Sequence, residues 1–191
     1  MPYTWLVLLS ICFIGHMTDS QLVYKFNKVE CQVNQARVKN VSCNVKPINW
    51  NTALVNMDCY LISPIINPTG RLFRNVRVQV FMKDYSNQYK PFLIDASFKL
   101  CEVVEMKNFL PYGVMVWELF HRFTNAKSCH ISGQLSAKNG YLNTSYVPQF
   151  PHGQYQISVM FSDSNSTNRE FVGIVKFFVQ AMDQIKSKKR P

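Results

Sequence analysis

The chain lacks the short motifs that mark most hydrolases, metalloenzymes and nucleotide-binding proteins. It has no G-x-S-x-G, no H-E-x-x-H and no glycine-rich phosphate loop, and no Cys/His cluster has zinc-ligand spacing. Only 11 of the 191 residues are acidic, and they are scattered, so paired catalytic carboxylates are not indicated. One E-x-x-H pair, Glu118 and His121, fits an exposed helix face better than a metal site, which needs further carboxylates. We therefore expect a non-enzymatic protein without metal or cofactor.

Long apolar runs are also scarce. The one clear run covers 5–14 (WLVLLSICFI) and is far shorter than the roughly 20 residues that span a bilayer. Gly15 ends it, and the small residues Thr18 and Ser20 follow at the positions that a signal peptidase reads. A membrane anchor and a buried first element are the alternatives. We predict that residues 1–20 are a cleaved signal peptide, and that the product is extracellular, soluble and not membrane-spanning.

Positive charge exceeds negative charge, with 21 Lys and Arg and a formal net charge of +10. A basic surface suits nucleic acid, an anionic membrane or an acidic ligand, and secretion argues against nucleic acid. Part of this charge belongs to a solvated tail that we assign to 183–191, with Lys186, Lys188, Lys189 and Arg190. The length between signal and tail, 21–182, suits a single domain.

Five cysteines follow the predicted signal, so in a secreted chain one is left over after disulfide pairing. Three glycosylation sequons agree with secretion, provided that each lies at the surface. They begin at Asn40, Asn143 and Asn165.

Apolar residues alternate with polar ones along most of the chain, which predicts half-buried strands. In 72–82 all even positions except Arg74 are apolar, and in 88–100 the even positions from Phe92 to Leu100 are apolar. The polar turn KDYSNQ at 83–88 makes the pair a hairpin. Residues 153–162 alternate in the same way, whereas 171–179 is apolar on both faces and predicts a central strand. Shorter strand-like segments lie around Cys31, around Cys43 and at 53–62.

Residues 102–123 do not follow this alternation. Val116, Trp117, Phe120 and Phe123 recur at helical spacing, and Pro111 suits the first turn of a helix. Strands with one helical insertion at about 102–123 predict an all-β sandwich of two antiparallel sheets.

Aromatic residues are abundant, with 14 Phe, 9 Tyr and 3 Trp. Two explanations are equally good: dense packing of the core, or an apolar ligand cavity between the two sheets. If there is a cavity, the apolar face of the 72–100 hairpin and the helical stripe are its predicted wall. The predicted ligand-binding residues are Val78, Val80, Phe92, Ile94, Phe98, Trp117 and Phe120. Arg71, Arg74 and Arg77 are candidates to hold an anionic head group.

Four segments resemble a large insect family of secreted proteins of unknown function that includes the fly CheB chemosensory proteins. The segment from Tyr89-Lys-Pro-Phe-Leu93 to Cys101 resembles its "Y-R-P-F-L…F-C" motif, and Phe26 to Cys31 resembles "F-T-N-I-K-C". Phe123 to Cys129 resembles "Y-S-N…H-S-C-P", with His130 in place of the proline, and Val147 to Tyr155 resembles "L-P…P-x-G-x-Y". The order and spacing of these motifs carry the resemblance.

The family is similar to the ML lipid-recognition fold, an immunoglobulin-like sandwich that binds lipids between its sheets. The resemblance therefore implies binding of an apolar or lipid-like molecule and, for some members, pheromone detection. It also maps a four-cysteine set onto Cys31, Cys43, Cys101 and Cys129 and leaves Cys59 without a counterpart.

Five cysteines allow several pairings, and strand geometry favours one of them. Two paired strands would bring Cys31 to Cys43, and Cys101 and Cys129 bracket the helical insertion. We predict disulfides Cys31–Cys43 and Cys101–Cys129, with Cys59 free and buried.

Two functions remain open at this stage. The first is a carrier or co-receptor that holds an apolar ligand in chemosensation. The second is an interaction protein that modulates a membrane receptor or channel ectodomain and uses the sandwich only as a scaffold.

Overall fold

Eight strands and one helix make up the described part of the chain. The computed structural model describes residues 21–62, 75–100, 102–103, 111–128, 131–145, 147–165 and 168–185. The elements are β1 (Leu22–Val33), β2 (Val38–Pro47), β3 (Ala53–Leu61), β4 (Asn75–Lys83), β5 (Tyr89–Phe98), α1 (Pro111–Phe123), β6 (Gly133–Gly140), β7 (Gly153–Asn165) and β8 (Asn168–Asp183). The predicted signal peptide lies outside the described residues.

The strands form two antiparallel sheets that face each other as a β-sandwich. One sheet has five strands in the order β1-β8-β7-β4-β5, and the other has three in the order β2-β3-β6. The central position of β8 agrees with its apolar sequence, because a strand with neighbours on both sides is the most enclosed. The predicted all-β architecture of two antiparallel sheets is confirmed.

The predicted hairpin is β4–β5. Val76, Val78 and Val80 are buried along β4, and the turn is held by Asp84, whose carboxylate accepts bonds from Ser86 N at 2.9 Å and Gln88 N at 3.0 Å. Lys90 pairs with the same carboxylate at 2.7 Å, and these bonds hold the pKa of Asp84 well below its usual range. Local side-chain bonds of this kind favour a tight turn over a continued strand.

The helix α1 begins at Pro111, where a missing N–H leaves no helical bond unmade. It lies against β6 at one edge of the three-stranded sheet. Of the rest of the predicted insertion, 102–103 is helical and 104–110 lies outside the described residues. Nowhere in the described ranges is there a helix of the length and apolar character needed to cross a membrane.

A disulfide between Cys31 and Cys43 joins the two sheets. The predicted pairing is confirmed, but its expected setting is wrong. Cys31 lies on β1 and Cys43 on β2, and these strands are edges of opposite sheets instead of hydrogen-bonded neighbours. A turn at 34–37 carries the chain from one sheet to the other, with Asn34 N bonded to Val172 O at 3.0 Å. Cys101 and Cys129 lie outside the described residues.

Candidate functional site: an apolar cavity between the sheets

The inner face of the five-stranded sheet is a series of cross-strand rows. Antiparallel register places Cys31, Val175, Val159 and Val78 side by side on β1, β8, β7 and β4. The next row contains Val33, Gly173, Phe161 and Val76. Because side chains alternate between faces, every member of these rows points toward the three-stranded sheet.

A cavity of about 260 Å³ lies between the sheets. The three-stranded sheet lines it with residues of β2, β3 and β6, among them Cys43, Met57, Cys59, Leu135 and Ala137. The helix α1 contributes one stripe, made of Val116, Leu119, Phe120 and Phe123. Protein interiors rarely leave a space much larger than a water molecule, and 150 Å³ is enough to hold benzene. This cavity is therefore large enough for a small organic ligand.

The exposure of the lining residues agrees with a cavity. Ile157, Val159, Val175 and Phe177 lie on the inner face of the two most central strands, yet each is only half-buried. On the same strands, Tyr155 and Val179 are buried. The inner face is thus closely packed at one end of the sandwich and open to the cavity along the rest.

Side chains that line the cavity are almost all apolar. Apart from cysteine and tyrosine, its polar members are Asp58 and Thr124. The Thr124 hydroxyl donates to Phe120 O at 2.7 Å, and the Asp58 carboxylate accepts from Gln134 at 3.2 Å. No lysine, arginine or histidine of the described ranges belongs to the lining. The site thus suits hydrocarbon and lacks the groups that would neutralise a buried charge.

Of the proposed head-group arginines, Arg77 is described, and it lies away from this cavity. Since Val76 and Val78 face inward, Arg77 lies on the outer face of the sheet, where its guanidinium pairs with Asp95 at 2.8 and 2.6 Å. That pairing raises the pKa of Arg77 and lowers the pKa of Asp95. Arg71 and Arg74 lie outside the described residues.

Of the predicted ligand-binding residues, Val78 and Phe120 line the cavity. The others lie in or beside the packed core and are absent from the lining: Val80, Phe92, Ile94, Phe98 and Trp117. For Phe92, Ile94 and Phe98 the reason is the strand order, because their strand β5 is the outer edge of the five-stranded sheet while the cavity lies over β1, β8, β7 and β4. The sequence prediction missed the part of the cavity wall that the central strands form. The apolar inner faces of these strands could have indicated it.

Phe92 instead belongs to a cluster of four rings that fills one end of the sandwich. Its centroid lies 6.0 Å from that of Phe150 and 5.6 Å from that of Tyr155, and Phe150 stacks on Tyr155 at 5.1 Å. The Tyr24 hydroxyl donates to Pro148 O at 2.7 Å and accepts from Phe150 N at 2.8 Å. Burial raises the pKa of both tyrosines. Abundant aromatics thus serve dense packing at one end and the cavity at the other.

Cys59 is a free thiol on the cavity wall. The sequence predicts it buried, but it is half-buried because its strand face borders the cavity. Burial, and secondarily the charge of Asp58, raise the pKa of the Cys59 thiol.

Cys59 should therefore react slowly with iodoacetamide at neutral pH in the folded protein and much faster in urea, because the thiolate is the nucleophile. Mass spectrometry of the labelled peptide over time measures both rates. Equal rates in folded and unfolded protein would contradict this placement.

The predicted glycosylation sites Asn40 and Asn143 are exposed, as glycosylation requires. The Asn165 side chain lies outside the described part of the structure. Glu118 and His121 are exposed on α1, where the His121 ring lies 5.6 Å from that of Trp117. In the described ranges no three His, Cys, Asp or Glu side chains come close enough to hold a metal ion.

Residues 76–157 match the family described as "Protein of unknown function (DUF1091)". The matched region runs from β4 to the first half of β7 and includes the β4–β5 hairpin, α1 and β6. It agrees with the family resemblance of the Tyr89 to Cys101 segment. No curated protein matches the chain.

Proposed function

We propose that this chain is a secreted, non-enzymatic binding protein that holds an apolar, lipid-like ligand between the two sheets of an immunoglobulin-like, ML-type sandwich. The cavity of about 260 Å³ carries the proposal. A closely packed sandwich core would bury the inner faces of β7 and β8 completely, and here Ile157, Val159, Val175 and Phe177 stay half-buried.

The size and chemistry of the cavity describe the ligand. By proportion with benzene in a 150 Å³ cavity, the enclosed part holds roughly ten carbon atoms. Its binding free energy comes from burial of hydrocarbon, because the described part of the lining offers no cation and its Thr124 and Asp58 groups are already bonded. A polar end of the ligand would remain at the mouth, where water can solvate it.

Val159→Phe tests this proposal most sharply. Val159 lies at the centre of the inner face, so the larger ring should occupy the ligand's space and weaken binding by at least tenfold. Binding is measured by titration with a neutral naphthylamine dye that fluoresces in apolar surroundings. Met160→Phe is the matched control, because Met160 is the next residue on the same strand and faces outward beside Arg77.

Stability provides an independent readout on the same variant. In a cavity, the added ring of Val159→Phe finds room and stabilises the fold by about 0.5–2 kcal/mol, as cavity-filling changes do. In a filled core, it would cost about 1–3 kcal/mol. Destabilisation with unchanged dye binding would refute the cavity as the site. Absence of dye binding by the wild type would favour the scaffold function.

The biological setting is part of the same proposal. The match to the unknown-function family supports the family resemblance, from which we infer a role in chemosensation such as pheromone detection. Secretion follows from residues 1–20, and the exposed Asn40 and Asn143 support glycosylation. The receptor-modulating scaffold is the competing function, and the dye titration separates the two.

A further inference from the structure

The cavity between the sheets meets solvent beside Tyr141, the residue that follows β6. Of the described residues that line the cavity, Tyr141 alone is exposed, with 40% of its surface accessible to solvent. A side chain that lines a cavity and also contacts bulk water marks the mouth of that cavity. Phe123, the last residue of α1, lines the cavity too, and its ring centroid lies 5.4 Å from that of Tyr141. We call these two residues the aromatic rim.

The aromatic rim is held in place on both sides. Directly after α1, Asn125 N donates to Ser136 O of β6 at 3.0 Å, and Ser136 N donates to the Asn125 side-chain oxygen at 2.9 Å. At the end of β6, Gly140 lies so close to the helix that a methyl group on its Cα would be 3.8 Å from the Phe123 ring. The two rings of the rim meet edge to face, at 66°, an arrangement that aromatic pairs favour. The rim is therefore formed before a ligand binds, which lowers the entropy cost of binding.

In the part of the chain that the structure describes, the Tyr141 hydroxyl has no hydrogen-bond partner. Thr124 carries the other hydroxyl of the described lining, and it already donates to Phe120 O. The buried tyrosines Tyr24 and Tyr155 likewise donate to backbone carbonyls. A phenol can donate one hydrogen bond and accept another. Tyr141 is therefore the side chain of the described lining whose hydroxyl is available to a ligand.

We propose that the Tyr141 hydroxyl donates a hydrogen bond to an oxygen atom at one end of the ligand, whose hydrocarbon chain lies in the cavity. The inference rests on the proposed function and makes Tyr141 the residue that determines specificity. Apolar walls bind hydrocarbons according to size and shape, because burial of apolar surface has no direction. An oxygen that leaves water loses hydrogen bonds and needs a new donor. The ligand therefore carries an acceptor oxygen, supplied by a neutral carbonyl or by a carboxylate.

Octane, 2-octanone and octanoate test the proposal, because they share one chain length and differ in their oxygen atoms. Displacement of the neutral naphthylamine dye from the mature chain gives the affinity of each. Tyr141→Phe keeps the ring and its contact with Phe123 and removes the hydroxyl. We expect it to weaken binding of an oxygen-bearing ligand about fivefold, as loss of one hydrogen bond does, and to leave octane unchanged. Weakening of 2-octanone identifies a neutral carbonyl, and weakening of octanoate alone identifies a carboxylate.

Tyr112→Phe is the matched control. Tyr112 is 38% exposed in the first turn of α1 and is absent from the cavity lining. Its variant should bind all three ligands as the wild type does. Equal weakening by the two variants, or weakening of octane by Tyr141→Phe, would overturn the proposed bond and leave the cavity as the binding site. So would unchanged affinity for both oxygen-bearing ligands. Failure of the wild type to bind the dye would refute the cavity function and this proposal with it.

A measurement on the wild type does not depend on how a variant folds. With an isotope label at the Cζ atom of tyrosine, the NMR signal of Tyr141 should move further on addition of the oxygen-bearing ligand than on addition of octane. The reason is that a new hydrogen bond changes the electron density at the carbon that carries the hydroxyl. The Tyr112 signal should stay in place. Equal movement of the Tyr141 signal with octane and with both oxygen-bearing ligands at saturation would contradict the bond.

Discussion

Tyr155→Ala should remove about 3–5 kcal/mol of unfolding free energy, the range for truncating a large aromatic side chain in a core. Tyr155 is 1% exposed on β7 and packs on Phe92 and Phe150. Its hydroxyl also donates to Pro151 O at 2.7 Å. Since whole domains have only about 5–15 kcal/mol of stability, this single change would bring the fold close to its limit.

Conservative variants separate the ring from the hydroxyl. Tyr155→Phe keeps the ring and should cost about 1 kcal/mol, the net worth of one hydrogen bond. Tyr24→Phe should cost more, about 1–3 kcal/mol, because it leaves the buried Phe150 N–H without its acceptor. Urea unfolding measures the three free-energy losses, provided that the unfolding free energy falls with urea concentration at the same slope in every variant. A loss below about 1 kcal/mol for Tyr155→Ala would mean that this end of the sandwich is not closely packed.

Replacing Cys31 and Cys43 together with alanine should cost about 3 kcal/mol, because the bridge closes a loop across a sequence separation of 12. Cross-linking lowers the entropy of the unfolded chain, and in this protein it also joins the two sheets. The loss should appear as a lower urea midpoint of the double variant.

Cys59→Ala is the matched control for that experiment, since the Cys59 thiol forms no bridge and lies on the same cavity. It should change stability by no more than about 1 kcal/mol. Equal losses from the two variants would show that the bridge contributes nothing beyond the packing of its side chains.

Local pattern was enough to predict most strands and their buried faces. The alternation of Val76, Val78 and Val80 gave β4, and the apolar character of 171–179 correctly placed β8 inside a sheet. Such predictions succeed because a one-residue shift would expose a whole apolar face. The hairpin followed from the polar turn around Asp84, whose bonds are local in sequence.

The site could not be predicted in the same way, because it depends on which strands lie beside each other. Sequence alternation gives each strand a face but not a neighbour, so Phe92 was assigned to a cavity that lies over other strands. Backbone irregularities also limit the prediction of the site. Leu93 has a φ of 53° within β5, and the register shifts between Gln79 and Phe81 on its partner strand. A bulge of this kind redirects the neighbouring side chains without any signal in the hydrophobic pattern.

The Cys31–Cys43 bridge also limits how the sandwich can move. It ties together one edge of each sheet, β1 and β2, so these edges cannot separate. β6 is the other edge of the three-stranded sheet, and α1 packs against it. Among the described residues, this contact is noncovalent. Any widening of the space between the sheets would therefore be a rotation about the bridged edge, and the helix side would move the most.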